Sequence, residues 1–408
     1  MGKFVFYKIQ IMEQLFQHFN IIKKDTDLHI KRYLHEEIDW SNRLIAITGA
    51  RGSGKTTLLL QYIKSSLPND ETVLYASLDH LYFTENSLLD LADSFVQQGG
   101  THLFLDEVHK YPDWSIAIKN IYDTYKKLKV VFTGSSILEI HRSKGDLSRR
   151  AVEYKLQGLS FREFMAFESG IHLPKLSLQD ICKKHLQLAT ELTSLFKPLP
   201  AFKKYLQYGY YPYFVENRKG YGQKLRETIN LTIEVDLPSV QHMDFTSVHK
   251  LKKLLYVLSQ TVPFKPNVSK LADRIETTRP SLLLYLQYLE QAQLIMQLHT
   301  QGKGLSSLTK AEKIYPGNPN MMHVLASGQP DKGTMRETFF MNHLKGLHQV
   351  NATATGDFLI DETYTFEVGG KTKDYSQIKQ VKNSFLALDE IETGVKQKIP
   401  LWLFGLLY

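Results

Sequence analysis

One octapeptide constrains this chain more than any other feature: Gly49-Ala50-Arg51-Gly52-Ser53-Gly54-Lys55-Thr56 fits the pattern G-x-x-x-x-G-K-S/T. An apolar run, Leu44 to Thr48, precedes it, and a helix-forming run, Thr57 to Lys64, follows. Glycines at these positions let the backbone curl until successive N–H groups and the start of the next helix face one point, a cradle for phosphate oxygens. In such a loop Lys55 reaches the β- and γ-phosphates of ATP and the Thr56 hydroxyl is a ligand for Mg2+. Residues Gly49, Ala50, Arg51, Gly52, Ser53, Gly54, Lys55, Thr56 and Thr57 are therefore the expected nucleotide-binding set. The loop also demands a strand before it and a helix behind it, which commits this part of the chain to an α/β sheet.

The surrounding pattern agrees. Short β-rich runs at Leu44–Ile47, Thr72–Ala76, Leu103–Leu105, Lys129–Phe132 and Ala151–Tyr154 alternate with helical stretches. Continuous apolar strands separated by helices predict a parallel sheet covered on both faces. The third run ends in Asp106-Glu107, where Asp106 is expected to hold the Mg2+ shell and Glu107 to orient or deprotonate the attacking water. The fourth ends in Thr133-Gly134-Ser135-Ser136, so hydroxyls arrive at the same sheet edge, where ligands of open parallel sheets gather. Ser135 is the expected γ-phosphate sensor, with Thr133 as its substitute and an ordinary helix cap as the plainer role. Arg149 and Arg150 follow; an arginine on the γ-phosphate, in cis or from a neighbouring subunit, stabilises charge during phosphoryl transfer. Arg150 completes the catalytic set Lys55, Glu107, Ser135 and Arg150, although two solvated surface charges with Asp146 nearby fit the sequence as well.

Beyond Ser160 the strands stop. Phe161 to Leu237 reads as helices punctuated by Pro174, Pro198 and Pro200. Helical patterns at Val248–Gln260, Val268–Ile275 and Ser281–Gln291 precede strand patterns at Leu294–Thr300 and Glu312–Tyr315, which flank a Gly302-Lys303-Gly304 turn. Three helices and a hairpin predict a winged helix-turn-helix. The end of the chain returns to mixed α/β character, with a helix at Met335–Leu347 and strands at Asp357–Ile360, Tyr364–Val368, Phe385–Leu388 and Ile399–Phe404. The expected division is 12–160 for the ATPase core, 161–240 for a helical subdomain, 241–315 for the winged helix and 316–408 for a small α/β module. Met12 is as good a start as Met1, because the amphipathic pattern begins there.

The length of 408 residues suits several domains of about 100–200 residues each. Fifty Lys and Arg against 42 Asp and Glu give +8, a balance that permits nucleic acid without requiring it. The single Cys182 excludes an intrachain disulfide and a cysteine metal cluster; it reads as a buried apolar filler in a reducing cytosol. Neither a signal-peptide core nor an apolar run of about 18 residues is present, so a cytoplasmic protein without membrane contact is expected.

Four segments, RLIAITGARGSGKTTLLLQ, LFLDEVHKYPDW, VVFTGSS and GDLSRRAVEYKLQGLSFREF, together resemble the AAA-plus-type ATPases of bacteria and archaea that carry a C-terminal domain of unknown function with a restriction-endonuclease-like core. The resemblance runs over most of the chain. It implies a P-loop ATPase core, a helical segment, a winged helix and a terminal domain similar to PD-(D/E)xK nucleases. In that pattern an Asp after one strand and a Glu-x-Lys on the next hold metal and activate water. Asp357 and Glu367 occupy those places here, and Glu337 is a further acidic candidate. The residue two after Glu367 is Gly369, so the expected lysine is missing, with Lys371 or Lys373 as migrated substitutes. An inactive scaffold is the expectation.

The helix Ser281–Gln291 contains no Lys or Arg, which argues against sequence reading in a major groove. Arg279, Lys303, Lys310 and Lys313 could still contact phosphate in nonspecific DNA, and solvated surface charges fit them equally well. Two functions follow: an ATPase acting on DNA through its C-terminal half, or a nucleotide-controlled switch for a protein partner. AAA-plus resemblance also implies a homo-oligomer. A small-molecule kinase shares the first motif but needs neither the Asp-Glu pair nor the hydroxyl-bearing strand. Lys55→Ala should lower ATP affinity at least tenfold, read by equilibrium titration.

Overall fold

Apolar runs without a polar break have to be buried on both faces, and here they form the middle of a parallel sheet. The strands are β1 (Leu44–Gly49), β2 (Val73–Ser77), β3 (His102–Asp106), β4 (Lys129–Gly134) and β5 (Val152–Leu156), in the spatial order β2-β3-β4-β1-β5. Every pair is parallel, with Leu44 opposite Val130, Leu103 opposite Val130 and Ile45 opposite Val152. Helices α1 (Gly2–Asp25), α2 (Leu34–Glu37), α3 (Lys55–Ser66), α4 (Leu88–Gln97) and α5 (Trp114–Thr124) accompany it. Ile45, Ile47, Leu58, Phe104, Val130 and Ile118 belong to one buried core. Strand β5 lies at the edge, and of its residues only Leu156 is buried, as an edge strand facing water requires.

These elements belong to the first of two compact units in a computed structural model that describes residues 2–134, 147, 149–241, 243–260, 267–300, 311–326 and 328–408. The units are Met1–Gln157 with Ser239–His242, and Gly158–Pro238 with Met243–Tyr408. Among the described residues no helix is long and apolar enough to cross a membrane.

The second unit opens with α6 (Phe161–Ser169), whose start is set by a capping box between Ser160 and Glu163. Helices α7 (Leu178–Thr193), α8 (Pro198–Tyr208) and α9 (Tyr221–Leu231) follow, and α10 (Leu237–Gln241) begins in this unit and ends in the Ser239–His242 stretch assigned to the first. Pro198 occupies the first turn of α8, where its missing N–H costs nothing. Cys182 on α7 is buried, and burial pushes its thiol up to about 12. Next come α11 (Phe245–Gln260), α12 (Val268–Arg274) and α13 (Arg279–Gln291), then the antiparallel pair β6 (Ile295–Leu298) and β7 (Lys313–Pro316). The Gly302-Lys303-Gly304 turn and Lys310 lie outside the described residues.

After α14 (Pro319–Leu325) and α15 (Lys332–Lys345), a mixed five-stranded sheet closes the chain. It contains β8 (Val350–Asn351), β9 (Phe358–Ile360), β10 (Tyr364–Gly369), β11 (Ser384–Leu388) and β12 (Lys398–Pro400), in the order β12-β11-β10-β9-β8. Strand β10 pairs parallel with β11 and antiparallel with β9. One expected strand is corrected: only the start of Ile399–Phe404 is extended, and Leu401–Leu406 forms a 3-10 helix. All six of its residues are buried, so the run shows no alternation that would separate strand from buried helix.

The interior position of β1, between β4 and β5, gives a stability test. Ile45 is fully buried, and Ile45→Ala should lower the unfolding free energy by about 2–5 kcal/mol, whereas Ile45→Val costs about 1 kcal/mol, read from denaturant melts.

Candidate functional site

Because β4 lies between β1 and β3, the phosphate loop and the acidic pair are held one strand apart, with the tip of β4 between them. The loop conforms to its glycine pattern: Gly52 and Gly54 take φ of 78° and 94°, left-handed values that favour glycine. Gly49 is needed for another reason, since a Cβ there would lie 2.4 Å from the Leu156 carbonyl oxygen. Lys55 is buried and donates to the carbonyls of Gly49 and Ala50 at 3.1 Å each. The Ser53 hydroxyl is buried without a hydrogen-bond partner. Thr56 and Thr57 are exposed at the start of α3.

Asp106 gathers the strand ends. Its Oδ2 accepts from the Thr56 hydroxyl at 2.6 Å and from the Tyr75 hydroxyl at 2.8 Å. Its Oδ1 accepts from the Thr133 hydroxyl and from the Glu107 amide, the latter at 3.1 Å. The Thr133 oxygen also accepts from the Glu107 amide at 3.2 Å. Burial, and then the neighbouring Asp106 carboxylate, push the Tyr75 phenol far upward, so it stays a proton donor. Thr56 and Asp106 thus converge as an oxygen pair of the type Mg2+ takes, and the donor set fits that ion.

Glu107 sits at φ 51° and ψ 41°, a left-handed conformation that costs a non-glycine residue of order 1–3 kcal/mol. Its Oε2 lies 3.4 Å from Nε2 of His109, whose side chain is fully buried while that of Glu107 is 23% exposed. Tyr75, Arg32 and His109 had no place in the expected set. Arg32, 3% exposed, donates to the Ser53 carbonyl and, at 2.7 Å, to the Gln157 carbonyl. It ties the phosphate loop to the segment before β1 and to the end of β5. Ser135 and Asp146 lie outside the described residues.

Arg150 is placed elsewhere. It forms a two-pronged pair with Asp123, Nε to Oδ1 at 3.0 Å and Nη2 to Oδ2 at 2.9 Å. That guanidinium holds the Asp123 carboxyl below its usual range, chiefly through the hydrogen bonds. Asp123 lies in the last turn of α5, and Arg150 precedes the start of β5, whose Val152 pairs with Ile45. Both therefore lie at the sheet edge where strands begin, roughly 16 Å of strand from the phosphate loop. A contact from Arg150 to the γ-phosphate in its own chain does not fit this placement. Arg149 is exposed.

A second cluster lies in the other unit. Lys313 and Tyr315, two apart on β7 and so on one face, both meet Glu337 of α15. Lys313 Nζ is 3.0 Å from Glu337 Oε2 and 3.0 Å from Asp357 Oδ1, and the Tyr315 hydroxyl donates to Glu337 Oε2 at 2.5 Å. The other Asp357 oxygen accepts from the Val368 amide at 3.0 Å. Glu367 pairs with Lys373. Of the two substitutes for the missing lysine, Lys373 is the one that arrives, while Lys371 is exposed. Gly369 makes room for it: a Cβ there would lie 2.8 Å from the Lys373 Cβ and 2.9 Å from its Cγ. Lys313 is therefore directed inward at two carboxylates, not outward as a phosphate contact. Burial, with help from Asp357, raises the Glu337 and Glu367 carboxyls.

Thr133 joins both carboxylate-bearing residues of the first site, and this gives a measurable expectation. Thr133→Val removes a buried donor and acceptor, costing about 1–3 kcal/mol of stability in thermal melts and at least tenfold in ATP turnover.

Residues 41–165 match the family model described as an AAA domain, and residues 199–332 match one described only as a domain of unknown function. An uncharacterized protein of Methanocaldococcus jannaschii is 28% identical over 311 residues, 72% of this chain. The chain spans 63% of that relative's length. Among solved structures, a Walker-type ATPase of Pyrococcus abyssi aligns over 74% of this chain and 99% of its own, at 14% identity and a TM-score of 0.40. AMPPCP-bound DnaA of Aquifex aeolicus aligns over 63% and 84%, at 14% identity and a TM-score of 0.23. Those scores carry no argument by themselves. The matched family model, the parallel sheet and the loop geometry agree: the segment 41–165 is similar to AAA-type P-loop domains.

Proposed function

We propose that this chain binds and hydrolyses ATP with Mg2+ and passes its nucleotide state, through the second unit, to a partner macromolecule. The observation that carries the reading is the convergence on Asp106 of Thr56 from the phosphate loop, Thr133 from β4 and Tyr75 from β2. Each residue then has a task. The loop amides and Lys55 hold the phosphates, Thr56 and Asp106 hold the metal shell, and Glu107 takes the water's proton or aims the water. The bound Mg2+ would neutralise charge on the β- and γ-phosphate oxygens. Glu107 in a strained backbone conformation beside His109 supports turnover over static binding, because strain of this kind is retained where function needs a fixed orientation.

In this reading 241–315 is a winged-helix-like module and 316–408 a nuclease-like one, and the partner is DNA or protein. The face of α13 favours protein. Leu282, Leu286 and Leu289 are buried, whereas Leu284 is 43% exposed, Gln287 is exposed and Tyr288 is half-buried. Past Arg279 this helix offers phosphate no cation, and an apolar and amide surface suits a protein contact. The nuclease-like module in that case serves as a scaffold.

The test measures ATP turnover of wild type and Glu107→Gln with and without DNA, with subunit mass in the same nucleotide states. Glu107→Gln should lower kcat by about a hundredfold or more while ATP still binds. DNA should leave wild-type turnover unchanged. Stimulation by DNA that fades as salt rises would replace the protein-partner reading with the DNA one, and absence of turnover in wild type would remove the enzyme.

A further inference from the structure

The resemblance to PD-(D/E)xK nucleases implies a divalent cation among Glu337, Asp357 and Glu367, and the residues present do not fit one. We propose that Lys313 is the resident cation of this cluster: its ammonium group takes the place between Glu337 and Asp357 that a metal would need, and the cluster holds no divalent ion while Lys313 is there.

The argument begins with space. Lys313 Nζ is 3.0 Å from one oxygen of each carboxylate. A cation bridging the same oxygens has to sit about 2.0–2.6 Å from each, in the volume the ammonium fills. Further donors crowd the same carboxylates: Tyr315 donates to the Glu337 oxygen that Lys313 holds, the Val368 amide donates to the other oxygen of Asp357, and Lys373 covers one oxygen of Glu367. Of the carboxylate oxygens in this cluster, Glu367 Oε2 is buried without a hydrogen-bond partner, and a single buried oxygen is not a coordination shell. Among the described residues no group of three or more acidic, histidine or cysteine side chains is arranged to hold a metal.

Charge points the same way. Three carboxylates face two ammonium groups, and nearby Arg336 is taken up by Asp389 and Glu390. Adding a dication would leave an excess of positive charge beside side chains that are 3–19% exposed at Glu337, Asp357, Glu367 and Lys313. Burial would lower the Lys313 ammonium, but the Glu337 and Asp357 carboxylates outweigh it and raise the group, so the lysine is held charged. Displacing it would strand a desolvated ammonium next to the incoming ion. The alternation of β7 supplies the device: Lys313 and Tyr315 face the cluster while Ile314 is buried.

The experiment uses the full chain without nucleotide and Mn2+ as probe, with free Mn2+ counted by electron paramagnetic resonance. Wild type and Asp357→Asn should bind Mn2+ alike. Lys313→Met keeps the apolar stem and removes the charge; it should gain one site at least tenfold tighter than anything in wild type. The gain should vanish in Lys313→Met with Asp357→Asn. A Mn2+ site in wild type that Asp357→Asn abolishes would overturn the proposal, as would Mn2+-dependent nicking of DNA with the same dependence. So would a folded Lys313→Met protein, judged by melting, that gains nothing. If Lys313→Met does not fold, the comparison of wild type with Asp357→Asn decides alone: equal binding upholds the exclusion and a difference rejects it. Dependence on Asp357 separates this cluster from Thr56 and Asp106, so the ATPase reading stands or falls independently.

Discussion

A carboxylate buried at the end of a strand has to be hydrogen-bonded or neutralised, and Asp106 meets that requirement with donors from three other elements. Thr56 comes from the start of α3, Tyr75 from β2 and Thr133 from β4, with the Glu107 amide beside them. The requirement organises the whole edge. The glycine-rich loop, the Thr56–Asp106 oxygen pair and Glu107 keep their separation because each is tied, directly or through Thr133, to one carboxyl group. The parallel register makes this possible by bringing the ends of β2, β3 and β4 to one side of the sheet.

Much of this edge is legible in the sequence, because each motif is a short apolar run that terminates in a particular polar residue. Gly49 to Thr56, Asp106-Glu107 and Thr133 are all local patterns of that kind. Tyr75 is not, since it looks like an ordinary strand residue until β2 is placed beside β3. Arg32 and His109 are hidden for a similar reason: a buried arginine on a loop carbonyl and a buried histidine beside Glu107 have no spacing that announces them. Arg150 shows the opposite failure. Its nearness in sequence to the third motif suggests the phosphate edge, but it precedes β5, and a residue before a parallel strand belongs to the edge where strands begin.

In the second unit the helices and most strands follow their periodicity, whereas the direction of individual side chains does not follow from it. Lys313 reads as a basic wing residue because spacing does not reveal which face of a short strand is buried. Tyr315, fully buried two residues away, identifies the face once β7 is paired with β6. The run Leu401–Leu406 defeats periodicity altogether, being buried throughout.

Gly369 carries a consequence for how this sequence can change. The spacing in which a lysine stands two residues after Glu367 and the arrangement in which Lys373 reaches Glu367 exclude each other, because a side chain at position 369 would occupy the path of the Lys373 stem. A single substitution at Gly369 adds one lysine only by evicting the other. A lysine at position 369 is therefore accommodated only if the Lys373 stem moves or is shortened.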